Sequence, residues 1–233
     1  MAKIFEENAY TKEIETKIKR IDQDNKAIEL EDTIFYGKSG GQPGDIGKII
    51  AHGQKIEVTD TVKSGDLIEN ILENVKDLSI EQRVVASIDW DKRYKHMRMH
   101  SALHLMCAAI PLSVTGGQIS FKKSRLDFND PEKQISKQEL EDKINTLMKE
   151  DYEIVYEFVD SKILESQPDL VRTMSVKPPK IDGKLRFVKI GNVDFQPCGG
   201  THVKSTNEIG EIKIGKIENK GKMNRRVNIL LND

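Results

Sequence analysis

Cysteine is scarce in this sequence, because Cys107 and Cys198 are the only two among 233 residues. Two thiols are too few for a disulfide framework, so a metal-binding or catalytic use for one of them stays open. Long apolar runs are also missing, since the longest, at 103–112, is far shorter than the roughly 20 residues of a membrane-spanning helix. The first ten residues lack the apolar region of an export signal. We therefore expect a cytoplasmic protein that has no membrane partner.

A strong net charge is absent as well, because 37 Lys and Arg residues balance 38 Asp and Glu residues. This balance argues against indiscriminate binding of nucleic acids. The C-terminal stretch nevertheless crowds basic residues together with only Glu218 among them. Such a run is ordinarily a solvated surface, and RNA binding is the alternative. The candidate RNA-binding residues are Lys213, Lys216, Lys220, Lys222, Arg225 and Arg226.

The composition is that of a folded globular protein, and the length favours two domains. Short strands separated by turns fill residues 1–90, which predicts a small β-barrel or sandwich. The pattern then changes to a helix that ends before Pro111. Ser136 and Glu139 predict the capping box of a second helix. With the alternating strands that follow, we expect residues 91–233 to form an α+β domain with packed helices and a mainly antiparallel sheet.

Two pairs of side chains carry the chemistry of the second domain. His100 and His104 are four residues apart on the predicted helix, so both imidazoles project from one face. Cys198 and His202 flank two glycines and a threonine, which can form a tight loop that turns both ligands inward. Three imidazoles and a thiolate suit tetrahedral zinc. Each pair alone could consist of ordinary buried side chains. Together the two pairs predict a metal site, which could also be a purely structural one. We expect Cys107 to be a thiol of the hydrophobic core.

Three motifs occur together: GGQPGD at 40–45, HSALH at 100–104 and CGGTH at 198–202. The first belongs to a loop at 37–47 in which five of eleven residues are glycine. In this combination the chain resembles the AlaX family, free-standing proteins similar to the editing domain of alanyl-tRNA synthetase. The editing domain of threonyl-tRNA synthetase shares part of the pattern. The glycine-rich motif resembles that of the medium-length AlaX type, which keeps the first domain.

The resemblance implies an enzyme that hydrolyses the ester joining a wrong amino acid, chiefly serine and also glycine, to tRNA for alanine. It implies one zinc ion per chain, held by His100, His104, Cys198 and His202. Mischarged tRNA is the expected partner, and no obligate protein partner is evident. The glycine-rich loop is expected at the junction of the two domains, near the metal. Its residues are Gly40, Gly41, Gln42, Gly44 and Asp45.

Three residues are candidates for catalysis. Asp194 precedes Cys198 by four residues and could orient a ligand or a water molecule. Thr201 lies between two ligands and Gln118 follows the ligand helix, so either could bind the serine hydroxyl. All three have an ordinary alternative as polar loop residues. Zinc could activate water or polarise the ester carbonyl only at an open coordination position; otherwise it binds the substrate's α-amino group or shapes the pocket.

Two other functions fit the same residues. One is a deacylase for another mischarged tRNA, such as tRNA for threonine. The other is a non-catalytic RNA-binding module in which zinc is structural. Deacylation of a panel of mischarged tRNAs distinguishes the other deacylase from the leading hypothesis. If removal of the metal abolishes turnover while the protein stays folded, the non-catalytic module is excluded.

Overall fold

The computed structural model of the protein describes residues 3–172, the backbone of 180–181, and residues 184–232. The chain divides into two compact units, residues 1–94 and 95–233. Within the described residues, no helix is both long enough and apolar enough to cross a membrane. The predicted α+β class with mainly antiparallel sheets is confirmed.

The first unit contains six antiparallel strands: β1 (Glu13–Asp22), β2 (Ala27–Leu30), β3 (Gly47–Ala51), β4 (Gln54–Ser64), β5 (Leu67–Leu72) and β6 (Arg83–Ile88). They close into a barrel in the order β1-β2-β5-β4-β3-β6, which confirms the β-barrel prediction. Alternate residues point inward, as Ile56 and Val58 do in β4. Together with Ile18, Leu30 and Ile49 they build the apolar core of the barrel. Closure satisfies the strand edges against one another.

The glycine-rich loop packs tightly against its own barrel. A Cβ atom at Gly44 would lie 2.0 Å from the backbone oxygen of Thr61, so a larger residue cannot fit there. Gln42, in the same loop, is buried, and its backbone exchanges two hydrogen bonds with that of Ser39. The loop is therefore part of the structure of the first unit. Its expected place at the domain junction stays a prediction.

A buried ion pair ties this loop to the rest of the first unit. Asp45 accepts hydrogen bonds from the backbone N–H of Tyr36 at 2.6 Å and from Nε of Arg93 at 3.0 Å. The guanidinium of Arg93 also donates to the carbonyl oxygens of Ala9 and Ile34, at 2.8 and 2.6 Å. Both charged side chains are almost fully buried. Burial of a charge is tolerated here because each one is paired and hydrogen-bonded.

The described part of the second unit combines helices with two antiparallel sheets. Its helices are α1 (Trp90–Ala109), which starts in the last residues of the first unit, α2 (Lys137–Lys149) and α3 (Ile163–Ser166). In one sheet, β11 (Lys184–Ile190) pairs with β9 (Ile154–Asp160), β10 (Lys180–Ile181) and β12 (Asp194–Pro197). The other has the order β13-β14-β8-β7, formed by β7 (Val114–Gln118), β8 (Ser124–Asn129), β13 (Ile212–Lys220) and β14 (Asn224–Leu231).

The second predicted helix is present, but its predicted cap is not. One stripe of α2 buries Leu140, Ile144 and Met148, as a period of 3.6 residues requires. Ser136 occupies the N-cap position without a side-chain hydrogen bond to the helix, so the capping box predicted with Glu139 is wrong. Packing of the apolar stripe, rather than the cap, therefore stabilises this helix.

We predict that Asp45→Ala lowers the free energy of unfolding by about 3–5 kcal/mol, because it leaves the charge of Arg93 buried without a partner. Urea unfolding followed by the fluorescence of Trp90, the single tryptophan, measures this loss in the first unit. Asp66→Ala is the control, since Asp66 pairs with Lys3 at 3.3 Å and its side chain is 98% exposed. That change should cost less than about 1 kcal/mol. Similar losses in the two variants would contradict the role of the buried pair.

Candidate metal centre

The helix α1 places the first two donors of the site. His100 and His104 are buried one turn apart on the same face, and the centroids of their rings are 5.3 Å apart. The helix is unbroken through this region because it holds neither proline nor glycine before Pro111. A rigid helical segment therefore fixes the spacing of the two imidazoles.

The other two donors lie on the loop that follows β12. The backbone of Cys198 exchanges hydrogen bonds with Arg186 of β11: its N–H donates to the carbonyl of Arg186 at 3.0 Å, and Nη1 of Arg186 donates to its carbonyl at 2.6 Å. The buried guanidinium of Arg186 also lies 3.7 Å from the ring centroid of Tyr156. In turn, the backbone N–H of His202 donates to the hydroxyl of Tyr156 at 3.1 Å. The loop is thus fixed at both ends by the sheet.

The four side chains converge as one group. Their donor atoms all lie within 4.8 Å of one another, and three of the four residues are buried, with Cys198 half-buried. The Sγ atom of Cys198 is 3.5 Å from Nε2 of His100 and 3.4 Å from Nε2 of His202. Tetrahedral zinc with ordinary bond lengths separates a sulfur and a nitrogen ligand by about 3.6 Å. The group can therefore hold a metal ion, and the nature of its donors and these two separations are compatible with zinc.

Neighbouring polar side chains orient two of the imidazoles. Nδ1 of His104 lies 2.9 Å from a carboxylate oxygen of Asp194, and the side-chain amide of Gln196 donates to that carboxylate at 2.9 Å. Nδ1 of His202 lies 3.1 Å from the hydroxyl of Ser101. When Nδ1 is occupied by such a contact, Nε2 is left to face the metal position. All three orienting side chains are almost fully buried.

The charges of the group shift the pKa values of its members in opposite directions. Burial by itself lowers the pKa of His104, but hydrogen bonds to Asp194 and Cys198 outweigh it and raise that pKa to about 10. For Cys198, burial raises the pKa, and the positive charge and hydrogen bond of His100 outweigh it, so the thiol pKa falls well below its usual value. Burial and the neighbouring histidines together lower the pKa of His202. In the metal-free protein a thiolate therefore faces a protonated imidazole.

Among the remaining candidates, Thr201 is fully buried and lies between Cys198 and His202 in the sequence. Gln118 is exposed at the end of β7, where its side-chain oxygen accepts a hydrogen bond from Nε of Arg125 at 3.4 Å. Asp194 contacts His104 directly, as described above. Cys107 is buried, and burial raises the pKa of its thiol to about 12, so it stays protonated. The catalytic roles of these residues stay predictions.

The sequence did not single out Ser101, Gln196, Tyr156 or Arg186. For Gln196 a signal existed, because alternation along a strand puts Asp194 and Gln196 on the same face of β12. Ser101 follows a ligand within HSALH, but its contact with His202 depends on a loop far along the chain. No local pattern could have revealed it.

The candidate RNA-binding residues lie on the β13–β14 hairpin and differ in exposure. Arg226 is half-buried and makes two hydrogen bonds with the carboxylate of Asp127, at 2.7 and 2.8 Å. Arg225 is also half-buried, and its guanidinium donates to the side-chain oxygen of Asn219 at 3.3 Å. The exposed members of the set are Lys213, Lys216, Lys220 and Lys222. The four lysines are thus more accessible to RNA than the two arginines.

We predict that metal affinity rises with pH. His104 of the metal-free protein carries a proton below its pKa of about 10, and a metal ligand must be deprotonated, so binding releases this proton. The Kd for zinc should fall about tenfold for each unit of pH between roughly 7 and 9. The thiolate of Cys198 is already ionised and adds no proton to this exchange. Competition with a chromophoric chelator measures the Kd, and a value that does not change with pH would contradict the assignment.

We also predict that Asp194→Asn weakens metal binding by about 10–100-fold, because it removes the charge that holds the Nδ1 proton of His104. The same chelator competition measures the effect. Asp130→Asn is a matched control, since Asp130 is equally buried but accepts hydrogen bonds from the backbone N–H groups of Gln134 and Ile135. If the two variants bind zinc with equal affinity, Asp194 does not orient the ligand.

The chain matches two protein-family models. Residues 185–228, which include Cys198 and His202, match the threonyl and alanyl tRNA synthetase second additional domain. Residues 2–92 match the class II (A) tRNA synthetases. The first match lies within the second compact unit, and the second match lies within the first.

Known proteins resemble the chain over most of its length. It is 34% identical to the alanyl-tRNA editing protein AlaX-M of Methanosarcina acetivorans, with 97% of each chain covered. It is also 34% identical to the alanyl-tRNA editing protein AlaX-L of Pyrococcus horikoshii, over 94% of this chain and 55% of that protein. The alanine–tRNA ligase of Pyrococcus abyssi is 32% identical over 92% of this chain and 24% of the ligase. The chain therefore belongs to the AlaX family of alanyl-tRNA editing proteins.

Proposed function

We propose that this protein is a deacylase that removes wrongly attached serine, and also glycine, from tRNA for alanine. One observation carries the proposal: the four donor atoms of His100, His104, Cys198 and His202 converge in a chain that matches AlaX-M along nearly its whole length. The relatives are named for editing of alanyl-tRNA, which is the removal of an amino acid from an ester at the tRNA 3′ end. An ester hydrolase needs a polar, preformed site, and this group supplies one.

We propose zinc as the resident metal, with one ion per chain. Three imidazoles and one thiolate are borderline to soft ligands, which favour zinc over magnesium or calcium. The 3.4–3.5 Å separations between the sulfur and two of the nitrogens suit its tetrahedral geometry. A bound zinc ion would supply a positive charge that polarises the ester or binds the amino group of the substrate.

The chain's own residues hold this site in shape. Asp194 and Gln196 keep the Nδ1 proton of His104 on the side away from the metal position, and Ser101 does the same for His202. Cys198 is the ligand that solvent reaches, so we propose that the substrate approaches beside its sulfur. Thr201 and Gln118 are the proposed contacts for the serine hydroxyl, and Asp194 is the proposed orienting carboxylate.

Discrimination between serine and alanine has a physical basis. A synthetase pocket for a small side chain cannot reject a close analogue strongly enough, so a second, hydrolytic site is needed. A site that hydrogen-bonds a hydroxyl can reject the substrate that lacks one by a large factor. We therefore propose that the protein spares alanyl-tRNA because a buried polar group in the site would be left without a partner.

The tRNA body has a proposed contact surface on the β13–β14 hairpin. Lys213, Lys216, Lys220 and Lys222 are exposed there and can meet phosphates without reading sequence. Arg226 is a weaker candidate, because its guanidinium is already paired with Asp127. The proposed surface also includes Arg225 and Arg226, which are half-buried.

We predict rapid hydrolysis of seryl-tRNA for alanine and slow hydrolysis of alanyl-tRNA for alanine. Cys198→Ala should abolish the serine activity and lower the metal content measured alongside, because it removes one of four ligands. Cys107→Ala is the matched control, since that thiol is buried and protonated and is not one of the four donors. Folded, metal-loaded wild type that leaves seryl-tRNA intact would refute the proposal. Selective hydrolysis of a mischarged tRNA for threonine would instead reassign the substrate.

A further inference from the structure

The loop between β7 and β8 presents an aromatic ring to solvent. Phe121 is 38% exposed, although phenylalanine is usually buried. It is followed by Lys122 and Lys123, which are also exposed. An exposed ring next to two positive charges is the combination that proteins use to bind single-stranded nucleic acid.

The loop is built to hold this ring outward. Ser124 is fully buried, and its hydroxyl accepts a hydrogen bond from the backbone N–H of Ser120 at 3.0 Å and donates to the carbonyl of Ser120 at 3.0 Å. Ile119, the residue before Ser120, is buried and anchors the start of the loop. The two anchors leave residues 121–123 as a short projecting tip. A preorganised ring loses little conformational entropy when a ligand stacks on it.

The tip lies beside the helix that carries two of the metal ligands. The ring of Phe121 is 6.3 Å from that of His96, centroid to centroid, at an angle of 49°. His96 precedes His100 by one turn of α1, which is about 6 Å along the helix axis. The ammonium group of Lys122 is 5.8 Å from the centroid of the Phe121 ring. The ring therefore contacts α1 one turn before His100.

We propose that Phe121 stacks against an unpaired base at the 3′ end of the substrate tRNA, while Lys122 and Lys123 meet the neighbouring phosphates. This inference rests on the proposed function, because the 3′ end carries the amino acid and its bases are unpaired. The ester joins the amino acid to a ribose, so the nearest base is one sugar ring from the reacting bond. Stacking there would position the ester without selecting a sequence.

The test uses the full-length, metal-loaded protein and a fluorescently labelled oligoribonucleotide that ends in CCA. Phe121→Ala should weaken binding of this probe about tenfold, whereas Phe121→Trp should bind it at least as well as wild type. Phe158→Ala is the matched control, since Phe158 is also 38% exposed but lies on β9 next to Glu157. Its affinity for the probe should equal that of wild type.

A second ligand distinguishes stacking from simple attraction of charge. Phe121→Ala should leave the binding of inorganic polyphosphate unchanged, whereas Lys122→Ala should weaken the binding of both ligands. Equal probe affinity in Phe121→Ala and wild type would overturn the inference. It would also be overturned if Phe121→Ala lost as much affinity for polyphosphate as for the probe, because the tip would then bind polyanions without stacking. With seryl-tRNA, Phe121→Ala should raise KM about tenfold and leave kcat and metal content unchanged. Because probe binding needs no turnover, absence of hydrolysis by wild type would count against the proposed function alone.

Discussion

The organisation of the second unit depends on keeping a thiolate and three imidazoles within 4.8 Å of one another. Burial penalises every charge in this group, and hydrogen bonds together with the attraction between opposite charges offset the penalty at His104 and Cys198. Burial lowers the pKa of His104, but its hydrogen bonds to a carboxylate and to Cys198 outweigh burial and raise it. The pKa of Cys198 falls because His100 and His104 outweigh burial, and burial together with the same histidines lowers the pKa of His202. Asp194 is the carboxylate beside His104. Its contact with Nδ1 of His104 leaves Nε2 as the nitrogen of that ring available to a metal.

The two units each bury a carboxylate against a cation, with different consequences. In the first, Asp45 meets the guanidinium of Arg93, which cannot lose its proton and is satisfied further by two backbone carbonyls. In the second, Asp194 meets His104, whose proton can leave when a metal binds. The ion pair of Asp45 and Arg93 can therefore only stabilise the fold. The pair of Asp194 and His104 links the structure of the site to the protonation state of His104, although the local contacts of the two pairs are similar.

The local parts of the site could be predicted from the sequence, and the parts that depend on distant contacts could not. The spacing of His100 and His104 follows from helical periodicity alone, so the sequence predicted their shared face. The barrel and α2 followed from periodicity in the same way. The contact of Ser101 with His202 arises only after a helix and a distant loop have packed together. Ser136 shows the converse, since a local capping pattern is present and the helix forms without using it.

The near-neutral charge of the chain constrains how it can bind RNA. A net charge of −1 provides little long-range attraction for a polyanion, so the exposed lysines attract phosphates only at short range. One of the six predicted basic residues is weakened further, because Arg226 already neutralises Asp127. Contacts that do not depend on net charge must then contribute more. Stacking on an exposed ring is one of them, and it acts only on unpaired bases. Such a contact favours the single-stranded end of a tRNA, where the scissile ester lies, over its double-stranded body.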